Sequence, residues 1–236
     1  MHVHTASSFD YDYNSDDADN ILAGTLILNK VSAVAITDHF IIDKNRIESL
    51  RSLAPGVVFF PGVELRTDKG DTNIHVVLIF DDKFNLDELA EDFNAFKRNK
   101  AKNPNDNGKI YWDYSDIIEF AKEHNALISI HAGSKTAGVD DKISNKLEIN
   151  QAVKEEYAET VDIFEMGKIE DLQGYRINVF PKINGERPMI ICSDNHDPRK
   201  YNPKARMWIK ADLTFNGLKQ ILYEPTERIC GHDLTS

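Results

Sequence analysis

The 236-residue sequence contains no apolar run close to the ~20 residues that a membrane-spanning helix requires. It has only two cysteines, Cys192 and Cys230, so a disulfide framework is not expected. Its 28 lysines and arginines face 39 aspartates and glutamates, and the net charge of −11 argues against a purely electrostatic grip on nucleic acid. The first residues do not look like a secretory leader. We therefore expect a cytosolic protein without membrane association.

Hydrophobic residues make up 41% of the sequence, enough for a sizeable core. Apolar β-branched runs alternate with segments of helical periodicity about seven times. This alternation predicts an α/β fold with parallel strands and right-handed crossovers. The predicted strands are the opening residues around His2–His4, then Val31–Ile36, Val57–Phe60, Ile74–Phe80, Leu127–Ile130, Val161–Phe164 and Met189–Cys192. The predicted helices include Asp19–Asn29, Asn45–Leu53, Leu86–Lys100, Tyr114–His124, Lys142–Tyr157 and Thr214–Tyr223, with a possible edge strand at Met207–Ile209.

Six of the eight histidines lie on or just after predicted strands: His2, His4, His39, His75, His131 and His196. His75 alone lies in the front half of its apolar run, where a ligand at a strand end is less expected. Both a closed barrel and an open doubly wound sheet fit the alternation of elements. The barrel is favoured because its strand ends converge on one rim. Imidazole together with carboxylate suits Zn, Mn or Fe, so the pattern indicates a polynuclear metal site.

Several short motifs occur in a fixed order along almost the whole chain. They are His2-Val3-His4-Thr5, Thr37-Asp38-His39, Gly62-Val63-Glu64, His75, Ser129-Ile130-His131 and Ser193-Asp194-Asn195-His196. In this order they resemble the PHP (polymerase and histidinol phosphatase) superfamily. The resemblance implies a distorted seven-stranded (β/α) barrel over residues 1–212, followed by a helix and tail at 213–236. It also implies two to three divalent metal ions (Zn, Mn or Fe) and the hydrolysis of phosphoesters.

The resemblance also implies a ligand set and roles for its members. His2, His4, Glu64 and Asp194 would bind a first metal, and Glu64 would bridge to a second metal held by His75 and His131. A third would be held by Asp10, His39 and His196. The catalytic residues implied are Glu64, Asp194 and His196, with either the third metal or His196 assisting the leaving oxygen.

Four further residues have open alternatives. Lys135 and Arg206 are candidate phosphate contacts, or simply charges on exposed loops. Asp38 could orient His39 from behind, or cap a turn. Glu165 could support a ligand, act as an extra ligand, or be an ordinary acid at a strand end.

The last part of the chain resembles the segment that follows the PHP domain in large PHP–ATPase proteins (TrlF-like and Ppl-like). The residues concerned are Trp208–Asp212, Thr214–Leu218 and Glu224–Arg228. This resemblance implies an ATPase domain or subunit as a partner, although the sequence has no nucleotide-binding phosphate loop of its own.

Three functions compete. The tail favours a nuclease or phosphodiesterase acting on nucleic acid. The acidic balance and small size favour a stand-alone phosphatase for a small-molecule phosphate monoester. A metal-stabilised module without activity is the third, and the complete ligand set argues against it.

Overall fold

The structure is a computed structural model that describes residues 1–68, 73–142, 148–183, 185–201 and 207–231. Its strands are β1 (Ala33–Ile36), β2 (Val58–Arg66), β3 (His75–Ile79), β4 (Leu127–Ala132), β5 (Ile163–Met166), β6 (Met189–Ile190), β7 (Trp208–Ile209) and β8 (Ile229–Cys230). Its helices are α1 (Ala18–Leu28), α2 (Lys44–Leu53), α3 (Leu86–Lys100), α4 (Tyr114–Glu123), α5 (Val139–Lys142), α6 (Glu148–Thr160), α7 (Asp171–Asn178), α8 (Phe215–Lys219) and α9 (Pro225–Arg228). None of the described helices is long and apolar enough to cross a bilayer.

The main sheet is a curled six-stranded half-barrel with the order β1-β2-β3-β4-β5-β6. The prediction of parallel strands throughout is wrong for β3, which pairs antiparallel with both β2 and β4. The cause is the length of the connection: β2 continues to Arg66, well past its predicted end at Phe60, and β3 begins at His75. So few residues cannot form the crossover of a dozen or more that a parallel neighbour needs.

The opening residues do not form a regular strand. Val3 makes single parallel bridges to Ile36 at one edge of the sheet and to Asn195 just beyond the other edge. The Val3 amide donates to the carbonyl of Ala35 at 3.2 Å, and the His4 amide donates to Asn195 at 3.1 Å. The predicted count of seven strands is therefore not confirmed, although the arrangement is compatible with a TIM-like barrel.

Side chains along each strand alternate between two apolar layers, as the pleat requires. On one face, residues such as Val34, Val63 and Val76 pack with apolar residues of α1 to α4. On the other face, a smaller cluster formed by Ala35, Phe60, Val77, Ile79, Leu127, Ile163, Ile190 and Cys192 packs against Phe215, Leu218 and Ile221. The C-terminal segment therefore covers this second face, while β7 and β8 pair separately in a small antiparallel sheet of their own.

Candidate metal centre

The second face of the sheet also carries the polar candidates. Glu64 lies four residues after Phe60 on β2, and His131 lies four residues after Leu127 on β4, so each shares a face with an apolar residue of the smaller cluster. His75 begins β3, but β3 runs antiparallel to its neighbours. Its first residue therefore reaches the rim at which β2 and β4 end. The strand direction removes the difficulty that its position in the sequence presented.

The structure brings together His2, His4, Glu64 and Asp194, the first set that the sequence resemblance implied; these four residues could hold an ion and are called the first ligand group. The Nε2 atoms of His2 and His4 are 3.0 Å apart, and they lie 2.9 and 3.0 Å from Oε2 of Glu64. Oδ1 of Asp194 lies 3.5 and 3.3 Å from the same two nitrogens. The histidines and Glu64 are at most 1% exposed.

These separations fit a shared cation. Four ligands placed ~2.0–2.1 Å from one ion at tetrahedral angles are roughly 3.3 Å apart. The facing nitrogens of His2 and His4, with two carboxylate oxygens against them, form such a set. The hydrogen bonding of His131 is a second indication of a metal site. Its Nδ1 donates to the carbonyl of Thr136 at 3.0 Å, and its buried Nε2 has no hydrogen-bond partner among the described residues. A buried nitrogen lone pair without a donor suits a metal ligand.

Three further groups of residues could hold an ion. They are His4 with Asp10, His39 and His196; His39 with Glu64 and His75; and His2 with His131 and Glu165. Asp10 Oδ2 lies 3.2 Å from His39 Nε2 and 3.4 Å from His196 Nε2, so the third set that the resemblance implied is also brought together.

Glu64 connects the groups through its two oxygens. Oε2 faces His2 and His4, whereas Oε1 lies 2.5 Å from Nδ1 of His75 and 3.7 Å from Nε2 of His131. One fully buried carboxylate therefore stands between two sets of imidazoles. This is the arrangement expected of a ligand shared by two ions.

Glu165 lies behind the first ligand group rather than at a free strand end. The Nδ1–H of His2 donates to its Oε2 at 2.8 Å, which leaves the Nε2 lone pair of His2 directed at the group. Nζ of Lys135 lies 2.7 Å from Oε1 of Glu165 and 2.7 Å from Oδ2 of Asp194, and Lys135 is only 5% exposed. Lys135 thus holds the far oxygen of one ligand and the carboxylate that orients another.

The charges shift the protonation of the site strongly. Burial favours the neutral form of His2 and His4, but the surrounding carboxylates outweigh it, raising the pKa of His2 well above its usual value and that of His4 to about 9. Burial opposes ionisation of Glu64, yet the neighbouring imidazoles hold its pKa well below the usual range. His131 differs, because burial dominates and lowers its pKa to about 4.

These directions predict proton release on metal binding. Below pH 6.5, the ordinary pKa of a histidine, the charged His4 stabilises the metal-free fold. This stabilisation is lost as the pH rises through the raised pKa of about 9. At pH 7 a cation in the first ligand group must displace protons held between His2 and His4, so we expect net release of protons on metal binding. Titration calorimetry of the metal-free protein in PIPES and in Tris measures this release. Identical binding enthalpies in the two buffers would contradict it.

Two further predicted residues, Asp38 and Arg206, and the buried cysteine complete the description. Asp38 accepts hydrogen bonds from the amide and Oγ1 of Thr5, both at 2.6 Å, and His39 Nδ1 has no partner among the described residues, so Asp38 fixes the chain beside His4 instead of orienting His39. Arg206 lies outside the described residues. Cys192 is buried in the smaller apolar cluster.

No local pattern indicates the pairing of Lys135 with Asp194, which are 59 positions apart. A lysine four residues after a candidate histidine ligand indicated only that it lies near the site. The contact between Glu165 and His2 spans 163 positions and is equally invisible to local patterns.

No family model and no curated protein matches the chain. Solved structures do. A two-domain protein from Bacteroides vulgatus ATCC 8482 that contains a predicted PHP-like metal-dependent phosphoesterase is 17% identical, with a TM-score of 0.60 over 97% of this chain. A candidate metal-dependent phosphoesterase from Bifidobacterium adolescentis ATCC 15703 is 12% identical, with a TM-score of 0.60, and covers 99% of this chain and 96% of its own.

A third neighbour is an amidohydrolase from Chromobacterium violaceum with bound sulfate and no metal. It is 13% identical, with a TM-score of 0.58, over 98% of this chain and 96% of its own. The chain spans 62% of the length of the two-domain Bacteroides protein. At these identities the likeness concerns the fold. The chain therefore has a fold similar to those of a protein with a PHP-like metal-dependent phosphoesterase domain, a second metal-dependent phosphoesterase and an amidohydrolase.

Proposed function

We propose that the protein is a metal-dependent phosphoesterase with a di- or trinuclear centre. The observation that carries the proposal is Glu64, whose two buried oxygens face two separate sets of histidines. A lone structural ion does not need a shared carboxylate, whereas two adjacent ions that act on one phosphoryl group do. The bridges of Val3 to both sheet edges would then represent a reduced seventh strand of the barrel.

The residues of the chain would divide the work as follows. His2, His4, Glu64 and Asp194 would hold one ion, Glu64 with His75 and His131 a second, and Asp10 with His39 and His196 a third. Divalent ions in such a centre supply Lewis-acid activation of water and of the phosphoryl oxygens.

His196 is the candidate for a proton on the leaving oxygen. Its side chain is 26% exposed, whereas those of His2 and His4 are at most 1% exposed, so it lies toward the mouth of the site. The backbone of Asp194 has a φ of 48°, a conformation that non-glycine residues seldom adopt. This turn brings both Asp194 Oδ1 and His196 Nε2 to the same centre, which is consistent with strain retained at a functional site.

An anionic substrate fits this centre. Six imidazoles that bind ions in the neutral form, with few carboxylates, leave a net positive charge once two or three divalent ions are bound. The Chromobacterium neighbour has sulfate bound, and sulfate resembles phosphate in shape and charge. We therefore favour phosphate esters over the neutral amides of other hydrolases.

Metal analysis is the first test. The purified protein, loaded with Zn, Mn or Fe and freed of excess metal, is expected to hold at least two equivalents, as measured by inductively coupled plasma spectrometry. One equivalent or fewer with every metal would contradict a polynuclear centre.

A substrate panel tests the activity itself. If the protein is a monoesterase, we expect it to hydrolyse p-nitrophenyl phosphate. If it is a phosphodiesterase or nuclease, the activity suited to a PHP–ATPase partner, we expect it to hydrolyse bis-p-nitrophenyl phosphate and single-stranded DNA. Full metal occupancy with no turnover of any substrate would favour the non-catalytic module and overturn the proposal.

A further inference from the structure

An aromatic surface lies at one side of the centre. Phe9 directly precedes Asp10 and is 45% exposed, although its ring centroid lies only 5.4 Å from that of the buried His39. Phe40 follows His39 and is 2% exposed, and its ring is nearly parallel to that of Phe9 at 5.8 Å. Single exposed apolar residues are common, but this one lies beside a group of candidate ligands.

Arg66 completes this surface. It lies two residues after Glu64 on β2, so its side chain leaves the strand on the same face. Its guanidinium carbon is 5.0 Å from the Phe40 ring centroid and 5.7 Å from that of Phe9, within the range of cation–π contacts. We call Phe9, Phe40 and Arg66 the aromatic rim.

Arg66 has no direct ion-pair partner among the described residues, although Glu64 and Asp10 lie near enough to act on its charge. Nη1 donates to the carbonyl of Asn107 at 2.8 Å, and no carboxylate among the described residues lies within ion-pair distance of its guanidinium. Four other arginines have such a partner, in the pairs Arg46–Asp19, Arg176–Glu186, Arg199–Asp197 and Arg228–Glu224. A half-buried cation with spare donors beside a phosphoesterase centre is suited to an anionic ligand.

The backbone holds the aromatic rim in place at a cost. Phe40 has a φ of 61°, an uncommon conformation for a bulky residue. Its amide donates to the carbonyl of Glu64 at 3.1 Å, and its carbonyl accepts from Nζ of Lys97 at 3.2 Å. The strained residue is thus tied to the strand of the shared carboxylate, and its ring supports Phe9 and Arg66.

We propose that the aromatic rim is a leaving-group subsite for phosphate esters whose alcohol carries a flat aromatic ring. The ring of the alcohol would stack on the exposed face of Phe9, and Arg66 would face the anionic end of the ester. The inference rests on the proposed phosphoesterase function. It concerns the side of the centre formed by Asp10 and His39.

Two matched esters test the subsite. Benzyl phosphate and ethyl phosphate both release an unactivated alcohol, but only the first carries a ring. Phe9→Ala is expected to lower kcat/KM for benzyl phosphate about ten- to hundredfold, the range typical of one lost stacking contact, and to lower it far less for ethyl phosphate. Phe9→Tyr keeps an aromatic ring and is expected to retain the preference for benzyl phosphate, whereas Phe9→Leu is expected to lose it. Tyr223→Ala removes an exposed aromatic residue at the end of the short turn that follows α8, and it serves as the control.

Equal losses on the two esters, at unchanged metal content, would overturn the inference, as would full rescue by Phe9→Leu. A binding measurement separates it from the proposed function. Calorimetry with benzylphosphonate and methylphosphonate needs no turnover, and Phe9→Ala should weaken binding of the first selectively. Selective binding without hydrolysis of any ester would support the subsite and contradict the phosphoesterase function. Hydrolysis without any dependence on Phe9 would do the reverse.

Discussion

The Glu64→Gln variant is expected to lose kcat/KM for phosphate ester hydrolysis on the order of a thousandfold. Glutamine keeps the size of the side chain but removes the charge, and its NH₂ group cannot act as a ligand. Both oxygens of Glu64 face imidazoles, so this change disturbs two groups at once. His4→Ala and Asp194→Ala each spare the Oε1 side and should retain more bound metal than Glu64→Gln, although both should lose activity.

Metal content provides the second readout of this variant. Glu64→Gln should retain at least one equivalent fewer than the wild type after dialysis, as measured by plasma spectrometry. Glu48→Gln makes the same change on the exposed face of α2 and should match the wild type in metal content and rate. If Glu64→Gln kept two equivalents and normal turnover, Glu64 would not be a shared ligand.

The Lys135→Met variant should show the largest loss of stability. In the metal-free protein we expect the free energy of unfolding to fall by about 3–5 kcal/mol, because removal of the lysine leaves Oε1 of the buried Glu165 and Oδ2 of Asp194 without their shared cation. Bound divalent ions would offset part of this loss by supplying positive charge nearby. Urea unfolding with and without metal measures both values. Lys44→Met, which breaks a surface pair with Asp87, should change stability little.

This experiment also decides between two roles of Lys135. A lysine that only contacts the substrate phosphate would leave unfolding unchanged when replaced, and would raise KM. A lysine that positions Asp194 and Glu165 would lower stability and metal affinity before any substrate is added. An unchanged unfolding midpoint would contradict the positioning role of Lys135. It would favour the phosphate contact that the sequence predicted for this residue.

Much of the fold follows from local patterns. The bounds of α3 agree with its apolar spacing, and Asn85 caps its first turn by accepting from the amides of Asp87 and Glu88. The direction of β3 could not be read in this way, because an apolar run has the same alternation whichever way the strand pairs. Residues 148–157 of the predicted helix at 142–157 lie in α6, Lys142 is the last residue of α5, and residues 143–147 lie outside the described residues.

The candidate site shows the same division. His39, His131 and His196 could be recognised because each one follows a local apolar run, whereas His75 precedes most of its own run. The roles of Glu165 and Lys135 depend on contacts with His2 and Asp194 that only the folded chain creates. The sequence located both residues near the rim, but the identity of each partner is a property of the tertiary structure.

The bridges of Val3 to both edges of the sheet have a consequence for biogenesis. Ser193 Oγ donates to the carbonyl of His2 across 191 positions, so one partner leaves the ribosome long before the other. At 5–20 residues per second the opening histidines wait roughly 10–40 s for their counterparts. In the proposed centre, the first ligand group is therefore complete only after residue 194 has been synthesised, whereas the group of His39, Glu64 and His75 is complete much earlier.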